Sequence, residues 1–375
     1  MVSLLGIRTE VLQACVHIEW DRVGQRSTSW NEAVVIDNFH MSSRTFHLLV
    51  DAVVTTGSLV GGGDECVQEQ VAMFLYFVGH HASSRAIQCR FQRSGETVTR
   101  HLHAVMASLV NLCPTYIRIP QPGAAVHPSI ANNPKFSPFF LNFRMAIDGT
   151  HIPVRVPECD ISRFQSRKGV TMNVLAACDF DLNFTFVMAG WEGTAGDGKL
   201  YDAALRMGLH IDDAKFDILD AGFALTTKAL TPYRGKRYHL KEFARGQSKE
   251  ELFNLRHAQL RKVVERIFGI LKKRFPVLVC PVEYNYKFQV DLVLALCLLH
   301  NFIRRHGNDN LEQEVVDEIR RQNEQPMESS DMPLFNQALE SSEAKTWRDE
   351  IAQDMWDQYQ ITLRARHNRH SRNLI

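Results

Sequence analysis

The sequence predicts an α/β domain built on a mixed sheet and preceded by an all-α region. Three observations predict it. Apolar residues recur at helical spacing up to about residue 112. A proline-rich stretch then interrupts all regular patterning. Beyond it, apolar β-type segments bounded by turn residues alternate with amphipathic helical ones.

The elements follow in order. Residues 1–35 form an N-terminal extension. In residues 36–112, Val67, Val71, Leu75 and Val78 lie on one helical stripe, and Val98, Leu102, Val105 and Leu109 on another. Between them, SSRAIQCRFQRSG reads as a short helix and a turn at Ser94-Gly95, with Ser94 placed to cap the next helix. Three short helices with a Gly-bearing turn suit a helix-turn-helix. Arg90, Arg93 and Arg100 would then meet phosphates from its exposed side, with His101 nearby. The plainer alternative is a helical bundle with a basic surface.

Residues 113–140 hold Pro114, Pro120, Pro122, Pro128, Pro134 and Pro138, and read as a linker. Residues 141–307 carry the α/β pattern. NFRMAIDGTHIPVRV, VTMNVLAACDFD and FTFVMAGW read as strands, Tyr201–Met207 as a helix and FDILDAGFAL as a buried strand. Long helices are expected over about 249–274 and 288–305. Residues 308–375 read as an acidic flexible tail. One amphipathic helix, 344–360, interrupts it, with Trp347, Ile351, Met355 and Tyr359 four apart.

Composition narrows the function classes. Apolar residues make up 45% and charged residues 23% of the 375, as in globular proteins. The longest unbroken apolar run, Leu292–Leu299, is too short to cross a bilayer, so no membrane partner is expected. The opening MVSLLGIRTE has no basic lead or long apolar core, and no secretory signal is expected from it. Eight scattered cysteines without a CxxC argue against zinc ribbons and disulfide scaffolds, and for a reducing compartment.

The net charge of +1 conceals an asymmetry. Residues 308–375 carry 8 basic and 14 acidic residues. Residues 228–274 carry 14 basic against 4 acidic, a local +10 that suits a polyanion. A solvated helix face is the bland alternative.

The chemistry points to carboxylates. Asp148 ends the apolar run MAI and Asp220 ends DIL, and each precedes a Gly-bearing turn. An acid there is costly unless it is solvated, hydrogen-bonded or bound to a cation. Glu265 shares a helical stripe with Arg261, Phe268 and Lys272. Hard oxygen donors select Mg²⁺ or Mn²⁺, and two such ions can clamp the attacking and leaving oxygens of a phosphodiester. Each acid taken alone could equally be a turn cap.

A competing motif, Gly193 to Lys199, has the G-x-x-x-x-G-K spacing of a phosphate loop and would make a nucleotidase. Leu200 stands where Ser or Thr should hold Mg²⁺, and the charge of Asp197 opposes a triphosphate. Other signals are weaker: Gly61-Gly62-Gly63 reads as a hinge, and His300-Asn301 as a core-edge pair.

Several of these stretches together resemble the PIF/Harbinger-type DDE transposases and the nucleases derived from them. They are AIDGTHIPV, RKGVTMNVLAACDFDLNFTFVMAGWEGTAGD, DAGFALTTKALTPYRGKRYHL, ELFNLRHAQLRKVVERIFGILKKRF and LHNFI. VAMFLYFVGHHASSRAIQCRFQRSGETVTR resembles the same family's helix-turn-helix region. The resemblance covers roughly residues 36–305.

It implies an RNase H-like mixed-sheet catalytic core in which Asp, Asp and Glu hold two divalent ions. Asp148 matches the first acid, Asp220 the acid of the D-x-G-aromatic motif, and Glu265 that of R-x-x-x-E-R-x-F-G. Asp197 falls on a further metal-ligand position, and either Asp197 or Asp220 is the second triad member. Gly196 stands where the family commonly has His, Gly198 where it has Ser, Thr194 for Ser, and Phe223 for Tyr.

The reading is a metal-dependent DNA endonuclease or transposase. Lys228, Arg234, Lys236, Arg237, Arg261 and Lys272 would neutralise phosphates. A nuclear site of action and a Myb/SANT-like protein partner are expected with it. The alternative, which the two glycine departures favour, is a catalytically silent DNA-binding or scaffold protein.

Overall fold

The computed structural model describes residues 32–55, 59, 67–209, 211, 215–236, 248–307, 314 and 340–372. The N-terminal extension up to residue 31, the triple glycine, Arg237 and half of the acidic tail lie outside these residues. The described residues fall into two compact units, each drawn from several stretches. The first comprises those within Met1–Ile117, His151–Met172 and Gly269–Val315, the second those within Arg118–Thr150, Asn173–Phe268 and Val316–Ile375. These units interleave along the chain, whereas the sequence reading used contiguous boundaries. Helical spacing reports each helix but not which helices share a core.

The first unit is helical. Helices Glu32–Phe39, Ser43–Thr55, Val67–His80, Ser84–Phe91 and Gly95–Tyr116 are joined by Tyr286–His306. Ser83 and Ser94 cap two of them, each hydroxyl accepting an amide N–H three residues on, at 3.2 Å. The tight turn between these helices is made at Gln92, which takes a left-handed φ of 52° while Gly95 opens the next helix. Its side chain supports the turn by donating to the carbonyl of Cys89 at 2.6 Å. Helix Gly95–Tyr116 runs through Pro114 into the stretch read as linker.

Tyr286–His306 is long and apolar enough, by length and composition, to cross a membrane. The unbroken-run reading misses this because Asp291 and His300 interrupt it. Within the unit this helix is core: 72% of its most apolar window is buried. Phe288 and Phe302 lie on it fully buried, and Phe288 meets Phe77 edge-on at 6.4 Å. A short antiparallel pairing, β2 (Gln165–Ser166) with the start of β3 (Gly169–Cys178), belongs to the same unit.

The second unit is built on a mixed sheet whose strands run in the order β4-β3-β1-β5-β6. Here β1 is Phe143–Pro153, β4 Phe184–Glu192, β5 Phe216–Ile218 and β6 Ala229–Leu230. β5 runs parallel to both β1 and β6. This is an RNase H-like arrangement. Met145, Ala146 and Ile147 in β1 are all fully buried, as a central strand covered on both faces requires. On one face lies a core that includes Met145, Ile147, Leu175, Leu200, Leu219 and Phe223. Helix Lys249–Arg274 contributes Phe253, whose ring lies 6.5 Å from that of Phe140, and Phe268, 6.1 Å from that of Phe184.

One buried ion pair ties β1 to β5. Arg144 donates twice to Asp217, at 2.9 and 2.6 Å, and neither side chain is appreciably exposed. Burial pushes the Asp217 carboxyl up, and Arg144 opposes that shift. Helix Ser342–Arg372 is longer than its expected core of 344–360. It docks through Ala344, Arg348, Ala352 and Met355, all buried. Arg348 lies over the Tyr233 ring at 4.0 Å, and Trp347 meets Phe216 edge-on at 5.1 Å.

Candidate active site

The second unit carries four acids. Asp148 sits in the middle of β1, not at the strand end that the sequence predicts, because the strand continues through Gly149 to Pro153. Asp220 follows β5, Asp197 opens helix Asp197–Arg206, and Glu265 lies within helix Lys249–Arg274. The local turns explain how the aspartates are aimed. Asp148 Oδ1 accepts the Gly149 amide at 2.9 Å, and Asp220 Oδ1 accepts the Ala221 amide at 2.7 Å. Asp197 sits at a helix start with no side-chain cap before it, where a negative charge meets the positive end of the helix dipole.

The fold brings the four together. A Cβ placed on Gly149 would lie 2.8 Å from Asp197 Oδ1, and one on Gly222 3.7 Å from Asp197 Oδ2. The Asp197 carboxylate therefore rests against Gly149 in β1 and near Gly222 in the turn after Asp220. Arg261 joins the remaining acid: it donates to Asp148 Oδ2 at 2.8 Å and, one helical turn away, pairs with Glu265. Burial pushes the Asp148 carboxyl up to about 7, with the charges of Asp220 and Glu265 adding to the shift and Arg261 opposing it.

Two residues outside the expected set complete the site. Asn173, buried in β3, donates through Nδ2 to the Ala195 carbonyl at 3.1 Å and to Asp197 Oδ1 at 3.2 Å. The available signal was a lone amide inside the apolar strand VTMNVLAAC. His257, fully buried, donates from Nε2 to the Leu230 carbonyl at 3.0 Å. Burial holds its pKa down to about 4.

The donor chemistry fits a hard cation: four carboxylates, one of them pushed up to about 7 chiefly by burial, beside a buried amide oxygen. Among the described residues, no three His, Cys, Asp or Glu side chains stand close enough to hold one metal ion together. A guanidinium, that of Arg261, lies between two of the acids instead.

The basic residues divide by partner. Arg261 is the cation of the acidic cluster. Arg234 is turned inward, donating to the Ala221 and Phe223 carbonyls at 2.9 and 3.1 Å, so it braces the Asp220 turn. Lys228 is half-buried and Lys236 exposed in the same unit. In the first unit, Arg90 donates to Asn38 at 2.6 Å and lies over the Tyr76 ring, while Arg93 holds Glu69 through two bonds of 2.8 and 2.9 Å. Arg100 is exposed on helix Gly95–Tyr116. Lys272 is half-buried, donates to the His151 carbonyl at 3.3 Å, and burial lowers its pKa to about 8. In the phosphate-loop-like stretch, Asp197 is delivered onto Gly149, into the acidic cluster.

The acids on β1, β5 and the long helix, set on an RNase H-like sheet, agree with a family match. A model described as DDE superfamily endonuclease matches residues 147–301, the span that holds all four acids. Residues 147–301 are similar to the DDE superfamily endonucleases. A second model, described as a domain of unknown function (DUF8040), matches residues 26–111. The human protein named "Putative nuclease HARBI1" is 27% identical over 172 residues, 44% of this chain and 46% of that protein. Its rat counterpart is 28% identical over 203 residues, 52% of this chain and 54% of that protein. The Arabidopsis thaliana "Protein ALP1-like" is 26% identical over 178 residues, 42% of each. The chain thus spans about half the length of the curated relatives it matches. No solved structure matches it.

Proposed function

We propose that this chain is a metal-dependent DNA endonuclease of the DDE type, cutting phosphodiesters by hydrolysis and, in a transposase setting, joining the freed 3′ end to target DNA. One observation carries the reading: acids from distant parts of the sequence stand near Asp148, Arg261 bridging it to Glu265, Asp220 close enough to act on it by charge, and Asp197 against the adjoining Gly149. A carboxylate set of this kind is completed by a cation.

Asp148, Asp197, Asp220 and Glu265 would hold Mg²⁺ or Mn²⁺. Two such ions, when bound, supply an activated water and stabilise the departing 3′ oxygen. The protein's own contribution is placement. Backbone amides aim Asp148 and Asp220, Arg234 braces the turn of Asp220, and Asn173 fixes Asp197. Arg261 bridges Asp148 and Glu265 with its single positive charge. Lys228 and Lys236 follow Asp220 in sequence and supply positive charge for phosphates. DNA as substrate places the protein's work in a nucleus, with a Myb/SANT-like protein as its expected helper in choosing the site.

A second reading, a catalytically silent DNA-binding or scaffold protein, draws on the guanidinium of Arg261 between two of the acids and on Gly196 and Gly198 flanking Asp197. One experiment separates the two. The full chain is incubated with duplex DNA carrying terminal repeats, with Mg²⁺, with Mn²⁺, or with a chelator. Cleavage that needs the metal and falls at least about 10³-fold in Asp148→Asn supports the nuclease, on the scale of losing a group that acts in the transition state. DNA binding unaffected by metal, with no cleavage, supports the silent reading.

A further inference from the structure

We infer that Asn173 is a working part of the cation site: it positions Asp197 and presents its own side-chain carbonyl as a neutral oxygen ligand. The inference rests on the metal-dependent reading above and names a residue outside the four acids.

Three features of the residue carry it. Asn173 is 1% exposed, on a strand that is otherwise apolar through Cys178. A buried amide with no role would be costly, since each polar atom left unpaired keeps its full desolvation penalty. Its Nδ2 is fully used, one proton on the Ala195 carbonyl and one on Asp197 Oδ1. That pair of bonds ties the Gly193–Ala195 loop and the carboxylate it delivers to the sheet.

Its Oδ1 is buried and has no hydrogen-bond partner. That atom would lie 3.4 Å from a Cβ on Gly149, so it faces the residue next to Asp148, on the same spot as Asp197 Oδ1. Turning the amide over does not relieve this. The flip would press the oxygen against the Ala195 carbonyl and the Asp197 carboxylate, two acceptors. The network therefore fixes the oxygen on the Gly149 side of the amide.

A buried, unpaired carbonyl oxygen set against the residue that follows Asp148 has one good use. Amide carbonyls are ordinary ligands of hard divalent cations. They add an oxygen without adding charge, which suits a cluster that already carries four acids. The Gly149 Cα keeps the space clear, because a Cβ there would clash with Asp197 and come up against Asn173.

The test uses the full chain and Mn²⁺ alone, without DNA. Free Mn²⁺ is followed by electron paramagnetic resonance, and the melting temperature is recorded with and without the ion. The set is the parent, Asp148→Asn, Asn173→Ala and Asn173→Asp. Removing a residue that orients or supplements metal ligands weakens binding about 10–100-fold. Asn173→Ala should therefore raise the Mn²⁺ Kd by at least about tenfold and abolish most of the Mn²⁺-induced rise in melting temperature. Asn173→Asp supplies an oxygen with a charge. It should melt lower than the parent without metal, because it repels Asp197, and gain more from Mn²⁺ than the parent does.

A merely structural amide would lower the melting temperature of both variants and leave the Mn²⁺ increment unchanged. Asn173→Ala binding Mn²⁺ as the parent does, while Asp148→Asn does not, overturns the inference and leaves the nuclease reading standing. If Asn173→Ala fails to fold, Asn173→Asp decides: a Mn²⁺ increment no larger than the parent's overturns the inference. Mn²⁺ binding that is absent from the parent, or equal in Asp148→Asn, overturns both.

Discussion

The carboxylate of Asp197 rests on the bare Cα of Gly149. A Cβ at that position would stand 2.8 Å from Asp197 Oδ1, closer than such atoms approach. Asp148 and Asp197 thus come together only because the residue between them in space has no side chain.

Gly149→Ala should accordingly damage the site more than the fold. The added methyl pushes Asp197 and Asn173 aside, and displacement of a positioned group by about 1 Å costs on the order of 10²-fold in rate. Metal-dependent DNA cleavage is expected to fall about that much while the melting temperature moves by a few degrees. Cleavage at the parental rate would show that Asp197 does not need its place beside Asp148.

Two buried groups should make stability depend on pH in opposite directions in the metal-free protein. The folded-state pKa of Asp148 is raised to about 7, above the unfolded carboxylate value, so the folded state keeps a proton the unfolded state has lost. Its contribution therefore falls as pH rises from about 4 to 7. The folded-state pKa of His257 is lowered to about 4, so there the unfolded state holds the extra proton below about 6.5. Its contribution rises with pH between about 4 and 6.5. Urea unfolding in chelator across that range should show the parent nearly flat. Asp148→Asn should become steeper upward with pH, and His257→Gln steeper downward, each by up to about 1.4 kcal/mol per pH unit.

The Arg144–Asp217 pair should behave as a buried ion pair. Asp217→Ala removes the buried carboxylate that Arg144 holds between β1 and β5, a loss of about 3–5 kcal/mol. Replacing both residues with apolar ones of similar volume should recover much of it. Chemical denaturation of the single and double variants measures the difference. A single variant within 1 kcal/mol of the parent, by the same scale, would show the pair to be idle.

Arg93 and Arg100 should separate by assay. Arg93 is held on Glu69 by two hydrogen bonds, so Arg93→Ala should lower the melting temperature. Arg100 is exposed, so Arg100→Ala should leave the melting temperature in place and flatten the salt dependence of DNA binding. A lost phosphate contact reduces the slope of log K against log salt by about 0.9. Equal slopes for Arg100→Ala and the parent would remove Arg100 from the DNA contact.

The sequence by itself determined the elements and the residue types at their ends. Helix Lys249–Arg274, the cap at Ser94, the strands around MAI and DIL, and the acids after them follow from periodicity, capping chemistry and the cost of a carboxylate beside an apolar strand. These are local properties, set by residues a few positions apart. Only the tertiary structure decided which charges face one another. Arg261 and Glu265 are one helical turn apart and legible as a pair, but the bond from Arg261 to Asp148 crosses 113 positions of chain. Arg234, counted among phosphate-binding cations, turned inward because two carbonyls of the Asp220 turn lay within its reach. Asn173 gave no periodic or charge signal, since a neutral amide in a strand acquires its role only from the loop that folds over it. Long-range pairing depends on where the sheet order brings strand ends, and no spacing within the sequence encodes that distance.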